Sequence, residues 1–293
     1  MDLGGTKILA GLLERDGSVR ETNEVPTPTE SQEVLLAGLE EAVAGLFSDE
    51  VAALGFGVPS VVDPATGVSL GSINIPLEGV SVAAVLGERF GVPAGVENDA
   101  SAAALGEWRA GAGRGVDDLL MLTLGTGVGG GVVAGGELVR RWTELGHIVV
   151  VIDGPPCQGA CLGRGHLEAV ASGNAADRVA EGLWGPGATA EQLVDRAREG
   201  DAEAIEALER IGRLLGAGIG SLVNIFGVEL VVVGGGFGIA AASFLFEPAL
   251  EVARREALAP ARDGLRIVTA ELGEDAGLVG AGFVAFATLD AER

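Results

Sequence analysis

All the histidines and cysteines of this 293-residue chain lie within one window of twenty residues. Chance scattering would rarely bring together His147, Cys157, Cys161 and His166. Two cysteines and two histidines form a complete tetrahedral ligand set for zinc. Three of the four lie in a Gly/Pro-rich loop, residues 154–166, and not on an apolar helix face. The sequence therefore predicts a structural Zn²⁺ site, with two reduced cysteines and two incidental histidines as the alternative.

A second group of reactive residue types lies near the start of the chain, in Asp2-Leu3-Gly4-Gly5-Thr6-Lys7. Glycines such as Gly4 and Gly5 let backbone N–H groups approach a phosphate closely. The Thr6 hydroxyl and the Lys7 ammonium can contact phosphate oxygens, and the Asp2 carboxylate can orient a hydrated Mg²⁺. The spacing differs from that of a Walker loop. The segment predicts a phosphate-binding turn, with an ordinary hairpin turn as the alternative.

A glycine-rich segment, Gly125-Thr126-Gly127-Val128-Gly129-Gly130-Gly131, contains a formal Gly-x-Gly-x-x-Gly. A dinucleotide-binding motif requires a helix immediately after this turn. Here the following residues, 131–134, have the pattern of a second strand. A strand–turn–strand phosphate loop is therefore favoured over a Rossmann motif.

Acid–base chemistry is suggested by Glu97-Asn98-Asp99, which ends a predicted strand and opens an alanine-rich helix. Asp99 is either the N-cap of that helix or a general base that the strand end holds in position. On the residues alone the cap is favoured. Glu144 and Glu168 bracket the metal loop, where they are either solvated residues or ligand-binding ones.

The elements that must position these residues alternate between strands and helices, which indicates an α/β protein. The pattern predicts strands at 8–13, 51–58, 92–97, 119–124, 131–134, 230–233 and 265–270, and helices after a Thr29/Gln32 capping box and at 100–109, 201–226 and 277–289. A strand followed by a Gly-Thr turn occurs at Gly4–Thr6 and again at Gly125–Gly127, as a faint internal repeat.

The net charge, the length of the apolar runs and the cysteine content indicate which classes of partner the protein binds. The net charge of −23 argues against nucleic acid, whose phosphates need a basic surface. No apolar run reaches the roughly 20 residues that span a bilayer, and no signal peptide precedes the first motif. Two cysteines in a zinc-like loop suit a reducing cytoplasm. We therefore expect a cytoplasmic protein with small-molecule ligands and no nucleic-acid or membrane partner.

Taken in this order, the motifs resemble the ROK family (repressor, open reading frame, kinase), and especially its bacterial glucokinase branch, over essentially the whole chain. The matching segments are the first phosphate motif Asp2–Lys7, the Gly-x-Gly-x-Pro-Gly-x-Val-Asp segment at 55–63, the catalytic segment Glu97–Ala100, the second phosphate loop Gly125–Gly131, the Glu-x-Gly-His motif Glu144–His147 and the zinc loop Cys157–Glu168.

The chain departs from the family pattern at three places. Ser60 stands where the family has glycine, and His166 stands where the third cysteine of the zinc loop is expected. Histidine is itself a zinc ligand, so the site can persist as Cys2His2. The family also has several apolar residues before its first motif, whereas Met1 directly precedes Asp2, which leaves a truncated start or an unusually short strand.

The resemblance implies an actin-like (ribonuclease H-like) fold of two α/β domains with an interdomain cleft. We place one domain at 1–113 plus 277–293 and the other, with the zinc loop, at 114–276. The implied reaction is ATP-dependent phosphorylation of glucose at O6. Alternatives are fructose, N-acetylglucosamine or N-acetylmannosamine as the acceptor, a polyphosphate donor, or a sugar-responsive transcriptional regulator, which in this family has an added helix-turn-helix.

The resemblance also implies a role for each site residue and the cofactors ATP, Mg²⁺ and structural Zn²⁺. Asp99 is the catalytic base. The sugar-binding set is Asn74, Asn98, Asp99, Glu144, His147 and Glu168. The ATP-binding set is Asp2, Gly4, Gly5, Thr6, Lys7, Gly125, Thr126, Gly127, Gly235 and Gly236. The metal set is His147, Cys157, Cys161 and His166. We expect a homodimer or homotetramer.

Overall fold

The computed structural model describes residues 1–72 and 75–292. The chain forms two compact units. Unit 1 comprises Met1–Gly115, Leu138–Thr143 and Glu274–Arg293, and unit 2 comprises Val116–Glu137 and Glu144–Gly273. Each unit is built on a mixed β-sheet accompanied by helices, which confirms the predicted α/β class. These units are groups of residues that contact one another, and they do not test the domains predicted from the sequence. The predicted domain boundaries therefore stay a prediction.

The elements of residues 1–115 begin with a hairpin and continue with alternating helices and strands. They are β1 (Asp2–Leu3), β2 (Lys7–Leu13), β3 (Val19–Pro26), α1 (Gln32–Ala44), β4 (Leu54–Val58), α2 (Val82–Phe90), β5 (Ala94–Asn98) and α3 (Asp99–Ala110).

The rest of the chain adds a second hairpin, a largely helical segment and a closing helix. Its elements are β6 (Leu119–Leu124), β7 (Val128–Ala134), β8 (Glu137–Leu138), a 3₁₀ turn (Leu145–His147), α4 (Leu167–Ala171), α5 (Gly173–Trp184), α6 (Ala190–Arg198), α7 (Ala202–Phe226), β9 (Leu230–Gly234), α8 (Gly236–Ala240), α9 (Ala242–Glu256), α10 (Ala261–Gly264), β10 (Arg266–Thr269), a 3₁₀ turn (Gly273–Asp275) and α11 (Ala276–Ala291).

The two sheets share one topology. The strand order is β3-β2-β1-β4-β5 in the first and β8-β7-β6-β9-β10 in the second. With the strands of each sheet counted in chain order, the first runs antiparallel to the second and parallel to the fourth, and the fourth runs parallel to the fifth. The two Gly-Thr turns occupy equivalent places, after the first strand of each sheet. The faint repeat in the sequence therefore extends to both sheets.

Burial along the strands explains their positions. β6 and β9 are almost entirely buried and, apart from Thr123, carry no polar side chain, as expected for strands covered on both faces. β3 is largely exposed and rich in charged residues, which suits an edge strand. The second glycine loop therefore follows an interior strand, β6, whereas Asp99 follows β5, the strand at one edge of the first sheet.

Several predicted boundaries are wrong; β4, for example, begins at Leu54 and not at residue 51. Helix α1 is capped by Ser31, whose Oγ accepts the Val34 N–H at 3.3 Å, and not by Thr29. Gln32 is the first helical residue, and its Oε1 accepts the Glu78 N–H at 2.9 Å, so it cannot complete a capping box. Strand β7 begins at Val128, which pairs with Leu124 of β6. The glycines that follow, Gly129 and Gly130, pair with the preceding residues of β6 and so belong to the strand. The turn is thereby shortened to residues 125–127.

Glycines allow close helix packing in both units. In unit 1, α3 packs on α11, and a Cβ at Gly280 would overlap the Ala102 carbonyl. In unit 2, α7 packs on α9, and a Cβ at Gly212 would lie 2.6 Å from the Leu245 carbonyl oxygen. None of the helices within 1–72 and 75–292 combines the length and the apolar character needed to cross a bilayer.

Candidate active site and metal centre

The predicted first phosphate turn joins β1 to β2 in unit 1. The Gly4 N–H donates to the Lys7 carbonyl at 2.9 Å, and the Thr27 hydroxyl donates to the Gly4 carbonyl at 2.8 Å. Gly5 and Thr6, between them, are exposed. The turn is therefore fixed at both ends, while a ligand can reach its tip.

Lys7 follows this turn and is held by two carboxylates. Its Nζ lies 3.1 Å from Glu24 Oε2 and 3.5 Å from Glu274 Oε2. The hydrogen bond to Glu24 is the main reason that the pKa of Lys7 is above its ordinary value. Lys7 thus carries a full positive charge at neutral pH, and a phosphate oxygen that binds it must compete with these carboxylates.

Asp2 lies in β1, beside the turn, and is half-buried. A Cβ at Gly57 would lie 3.5 Å from Asp2 Oδ1 and 3.7 Å from the Asp99 Cα, so both acids flank one glycine of β4. A Cβ at Gly277 would lie 2.6 Å from Asp2 Oδ2. Burial raises the pKa of the Asp2 carboxyl. A cation beside this carboxylate would reverse the shift, so Asp2 is a suitable oxygen ligand for hydrated Mg²⁺.

The junction of β5 and α3 presents Asn98 and Asp99. The helix is capped by Asn98, whose Oδ1 accepts the Ser101 N–H at 3.1 Å, so the alternative that Asp99 is the cap is wrong. The Asn98 Nδ2 donates to Asp99 Oδ1 at 2.9 Å and to the Ser60 carbonyl at 3.4 Å. Asp99 Oδ1 also accepts the Ala100 N–H at 2.8 Å, so two neighbouring donors orient the Asp99 carboxylate.

Glu97 precedes this pair and is mostly buried. Its Oε1 accepts the Asn98 N–H at 3.0 Å, and its Oε2 lies 3.4 Å from Arg140 Nε. Burial is the largest influence on Glu97 and raises its pKa, while the Asn98 N–H and Arg140 oppose that shift. Glu97 thus helps fix the backbone that carries Asp99.

The second glycine loop lies in unit 2, between β6 and β7. The Gly125 N–H donates to the Gly127 carbonyl at 3.0 Å, and the Gly173 N–H at the start of α5 donates to the Gly125 carbonyl at 2.7 Å. Gly235, with φ of 80°, comes so close that a Cβ there would lie 2.6 Å from the Leu124 backbone. Gly236 follows as the first residue of α8. The fold therefore places the Gly235–Gly236 pair against the first residues of the loop.

The four metal-ligand candidates come together in unit 2. One ligand atom from each of His147, Cys157, Cys161 and His166 lies within 4.8 Å of the others. Cys161 Sγ lies 3.6 Å from His166 Nδ1, and the two histidine rings meet edge to face with centroids 5.2 Å apart. Bond lengths of about 2.0–2.3 Å in a zinc tetrahedron put ligand atoms roughly 3.3–3.8 Å apart. The cluster therefore needs to contract by about 1 Å at its widest to close on the ion.

The chemistry of the cluster also fits a metal. The Nδ1 of His147 is buried and has no hydrogen-bond partner in the described part of the chain. Glu144 Oε2 lies 3.5 Å from this nitrogen without hydrogen-bonding to it. Burial raises the pKa of the Cys157 thiol to about 11, so the metal-free thiol is protonated at neutral pH. An ion bonded to these atoms would satisfy the buried nitrogen and stabilise the thiolate.

Glu168, at the start of α4, is shared between the metal cluster and the glycine loop. Its Oε2 accepts the Val128 N–H at 3.0 Å, and its Oε1 lies 3.6 Å from Cys157 Sγ. A Cβ at Gly127 would overlap its carboxylate, which explains a glycine at that position. Glu144, by contrast, is exposed and contacts only the His147 end of the cluster among the sites above.

Two further polar residues lie at the site, and the sequence predicted a role for neither. Ser60, at the family's glycine position, is buried, and its hydroxyl donates to the Gly71 carbonyl at 2.9 Å. Gln158, inside the metal loop, reaches the Thr126 carbonyl at 3.2 Å. For Gln158 the only available signal is its position between the two cysteines.

The predicted site residues thus fall into two sets. Asp2, Gly4–Lys7, Asn98 and Asp99 lie in unit 1, and the glycine loop, Gly235–Gly236, Glu144, Glu168 and the metal candidates lie in unit 2. Asn74, predicted to bind sugar, lies outside the described residues.

The chain is similar to known proteins over nearly its whole length. The ROK family model matches residues 1–287. Glucokinase of Thermotoga maritima is 35% identical over 302 residues, covering 96% of this chain and 94% of the relative. N-acetylmannosamine kinase of Escherichia coli O157:H7 is 31% identical over 291 residues, covering 97% of both.

A solved structure extends the likeness to three dimensions. The structure of a ROK family glucokinase from Streptomyces griseus, in complex with glucose and AMPPNP, superposes with a TM-score of 0.80 at 35% identity and covers 98% of each chain. The predicted actin-like α/β fold class is thereby confirmed. A family model that matches nearly the whole chain, together with these relatives, shows that the chain belongs to the ROK family.

Proposed function

We propose that this ATP-dependent sugar kinase phosphorylates glucose at O6, with Asp99 as the general base. The observation that carries the proposal is the junction of β5 and α3. Asn98 caps the helix and donates to Asp99 Oδ1, which orients a carboxylate that the fold does not need as a cap. The glucokinase relatives support glucose as the acceptor.

In the proposed reaction, the Asp99 carboxylate accepts the proton of the O6 hydroxyl while O6 attacks the γ-phosphorus of ATP. A bond forms between O6 and the γ-phosphorus, and the bond between this phosphorus and the β–γ bridging oxygen breaks, releasing ADP. The N–H groups of the Gly4–Lys7 turn and the Gly125–Gly127 loop, with Lys7, bind the phosphates, and Gly235–Gly236 completes the nucleotide set. Mg²⁺, oriented by Asp2, would supply neutralisation of the phosphate charge.

The proposed acceptor set is rich in hydrogen-bonding groups: Asn74, Asn98, Asp99, Glu144, His147 and Glu168. Such a set suits a polyol, because a ligand that lacked a hydroxyl would leave a polar protein group unpaired. Within this set Glu168 is the best supported by position, since it lies beside both the glycine loop and the metal cluster.

Zinc is proposed as a structural ion held by His147, Cys157, Cys161 and His166. When bound, it would fix the loop that carries these residues and so position His147 and Glu168 for the sugar. The orphaned Nδ1 of His147 and the close approach of the four ligand atoms support this assignment. Both thiols are unpaired, which agrees with a reducing cytoplasm.

The test is a steady-state assay of purified protein over a panel of acceptors and donors. We expect the highest kcat/KM with glucose and ATP. The similarity to N-acetylmannosamine kinase makes that sugar the most informative competitor, with fructose, N-acetylglucosamine and polyphosphate completing the panel. A higher kcat/KM for another sugar would contradict the assignment of glucose. Turnover of none would contradict the kinase itself.

The predicted homodimer or homotetramer is checked separately by light scattering on the eluting peak of a gel-filtration column. A mass near two or four times 29.4 kDa would support the dimer or the tetramer, and a mass near 29.4 kDa would contradict both.

A further inference from the structure

Gln158 lies between the metal-ligand candidates Cys157 and Cys161, yet its side chain reaches away from them. Its Nε2 donates to the Thr126 carbonyl at 3.2 Å and to Ser172 Oγ at 3.2 Å. Its Oε1 accepts a hydrogen bond from the Asn174 side-chain amide. The three hydrogen bonds of the Gln158 amide are therefore all made to residues outside the metal loop.

The groups that Gln158 contacts form one rigid junction. Ser172 is buried and caps α5, where its Oγ accepts the Ala175 N–H at 3.1 Å. The backbone N–H of Asn174, in the first turn of α5, lies 3.4 Å from the Thr126 carbonyl that Gln158 also contacts. Gln158 is thus the link from the metal loop to the glycine loop and to α5 together.

The position of the Thr126 carbonyl matters because a peptide unit is planar and trans. Holding this carbonyl toward Gln158 and α5 directs the N–H of Gly127 to the opposite side, where a phosphate oxygen can accept it. If the carbonyl were free, the flexible Gly127 peptide could rotate, and the N–H would lose its fixed direction.

The hydrogen bond from Gln158 to the Thr126 carbonyl forms only if the backbone of the metal loop has a fixed conformation. Fixing a free glutamine side chain costs rotamer entropy that is comparable to what a few neutral hydrogen bonds return. Its backbone must therefore already be held, and an ion bonded to both Cys157 and Cys161 would fix it from either side.

We propose that Gln158 is a positioning residue that couples metal occupancy to nucleotide binding: with the ion bound, Gln158 fixes the Thr126–Gly127 peptide for a phosphate. This rests on the proposed function, since it requires both the metal and the nucleotide. The coupling is reciprocal, so the nucleotide tightens metal binding by the same factor.

The experiment measures the Kd of AMPPNP by calorimetry for the wild type, Gln158→Ala and Gln158→Glu, each at saturating zinc and after zinc removal. Glutamate keeps the acceptor oxygen for Asn174 but loses the donor to Thr126. Gln192→Ala, which removes a glutamine from the capping box of α6, is the matched control. Zinc content by elemental analysis accompanies every sample.

We expect zinc removal to weaken AMPPNP binding by the wild type at least about 5-fold, within the usual range of coupling between sites. Both Gln158 variants should show this loss with one zinc per chain still bound, and zinc removal should weaken them no further. The control should behave as the wild type.

Two results would overturn the proposal: zinc-loaded Gln158 variants that bind AMPPNP as tightly as the wild type, or variants that respond to zinc removal as the wild type does. Failure of the proposed function is a different result. In that case the wild type itself takes up no zinc, or neither binds AMPPNP nor phosphorylates any sugar of the panel, and the coupling falls with it.

Discussion

The Sγ of Cys157 lies 3.6 Å from the Oε1 of Glu168, so a candidate metal ligand and a candidate sugar-binding residue are direct neighbours. The second oxygen of Glu168 accepts the Val128 N–H. A change in the metal loop therefore alters one end of a carboxylate whose other end is fixed to the sheet.

Removing zinc should for this reason raise the KM for the sugar at least about 10-fold, because misplacing a binding group by about 1 Å is costly. The KM for ATP should rise less, since His147 and Glu168 both belong to the proposed sugar set. Dialysis against a chelator, followed by kinetics for each substrate, measures both values, and restoring zinc is the control. Unchanged sugar kinetics in a zinc-free enzyme would refute the link.

Asp99→Asn should lower kcat at least 10²-fold, the usual contribution of a general base, while glucose still binds. The helix should be unaffected, because Asn98 is its cap. Asp63→Asn is the matched control, since Asp63 accepts hydrogen bonds from its own turn and has no proposed chemical role. Near-normal turnover by Asp99→Asn, with calorimetry showing normal glucose affinity, would remove Asp99 from the mechanism.

The elements predicted from sequence were those with a strong local signal. The apolar runs of β6 and β9 and the period of α7 have such a signal, and so does the crowding of every cysteine and histidine into one segment. The four candidate ligands meet in the structure because a short loop and a 3₁₀ turn carry them.

What could not be predicted depends on contacts between distant residues. Ser31, and not Thr29, caps α1 because the helix starts where its apolar stripe meets the core. The consecutive glycines after Val128 look like a loop in the sequence, and only their pairing with β6 makes them a strand. The reach of Gln158 to Ser172 likewise follows from how the loop packs against α5.

Lys7→Ala should impair the use of ATP and leave the sugar KM unchanged. A hydrogen bond to a charged group contributes about 1.5–3 kcal/mol, so kcat/KM for ATP should fall at least about 10-fold. Arg20→Ala is the control, because Arg20 is also an exposed cation beside two carboxylates, Glu14 and Glu50. If Lys7→Ala changed only the KM for the sugar, the turn would not be a phosphate site.

His166→Cys should retain one zinc per chain and bind it at least as tightly as the wild type, because a thiolate is a stronger donor than imidazole and adds negative charge. His166→Ala should weaken zinc binding more than the roughly 10–100-fold that losing an outer-shell partner costs. Competition with a chromophoric chelator gives both affinities. If His166→Ala bound zinc as the wild type does, His166 would not be a ligand.

Glu97 gives a prediction about pH. Burial raises the pKa of Glu97 in the folded protein above its value in the unfolded chain. At pH values between these two pKa values, the folded state therefore binds more protons than the unfolded state. The favourable contribution of this group is therefore complete below the unfolded pKa and is lost as the pH rises through the folded pKa. Glu97→Gln removes this titration, so the urea midpoint of the variant should rise relative to that of the wild type as the pH increases from below 4.5, the ordinary value of the group, to neutral pH.

Removing any carboxylate from a chain with a net charge of −23 relieves repulsion, so this gain needs a reference. Glu40→Gln supplies it, because Glu40 is a more exposed carboxylate that also pairs with an arginine, Arg89. The stabilisation gained between a pH below 4.5 and neutral pH should be larger for Glu97→Gln than for Glu40→Gln. Equal gains would mean that net charge, and not the burial of Glu97, sets the pH dependence.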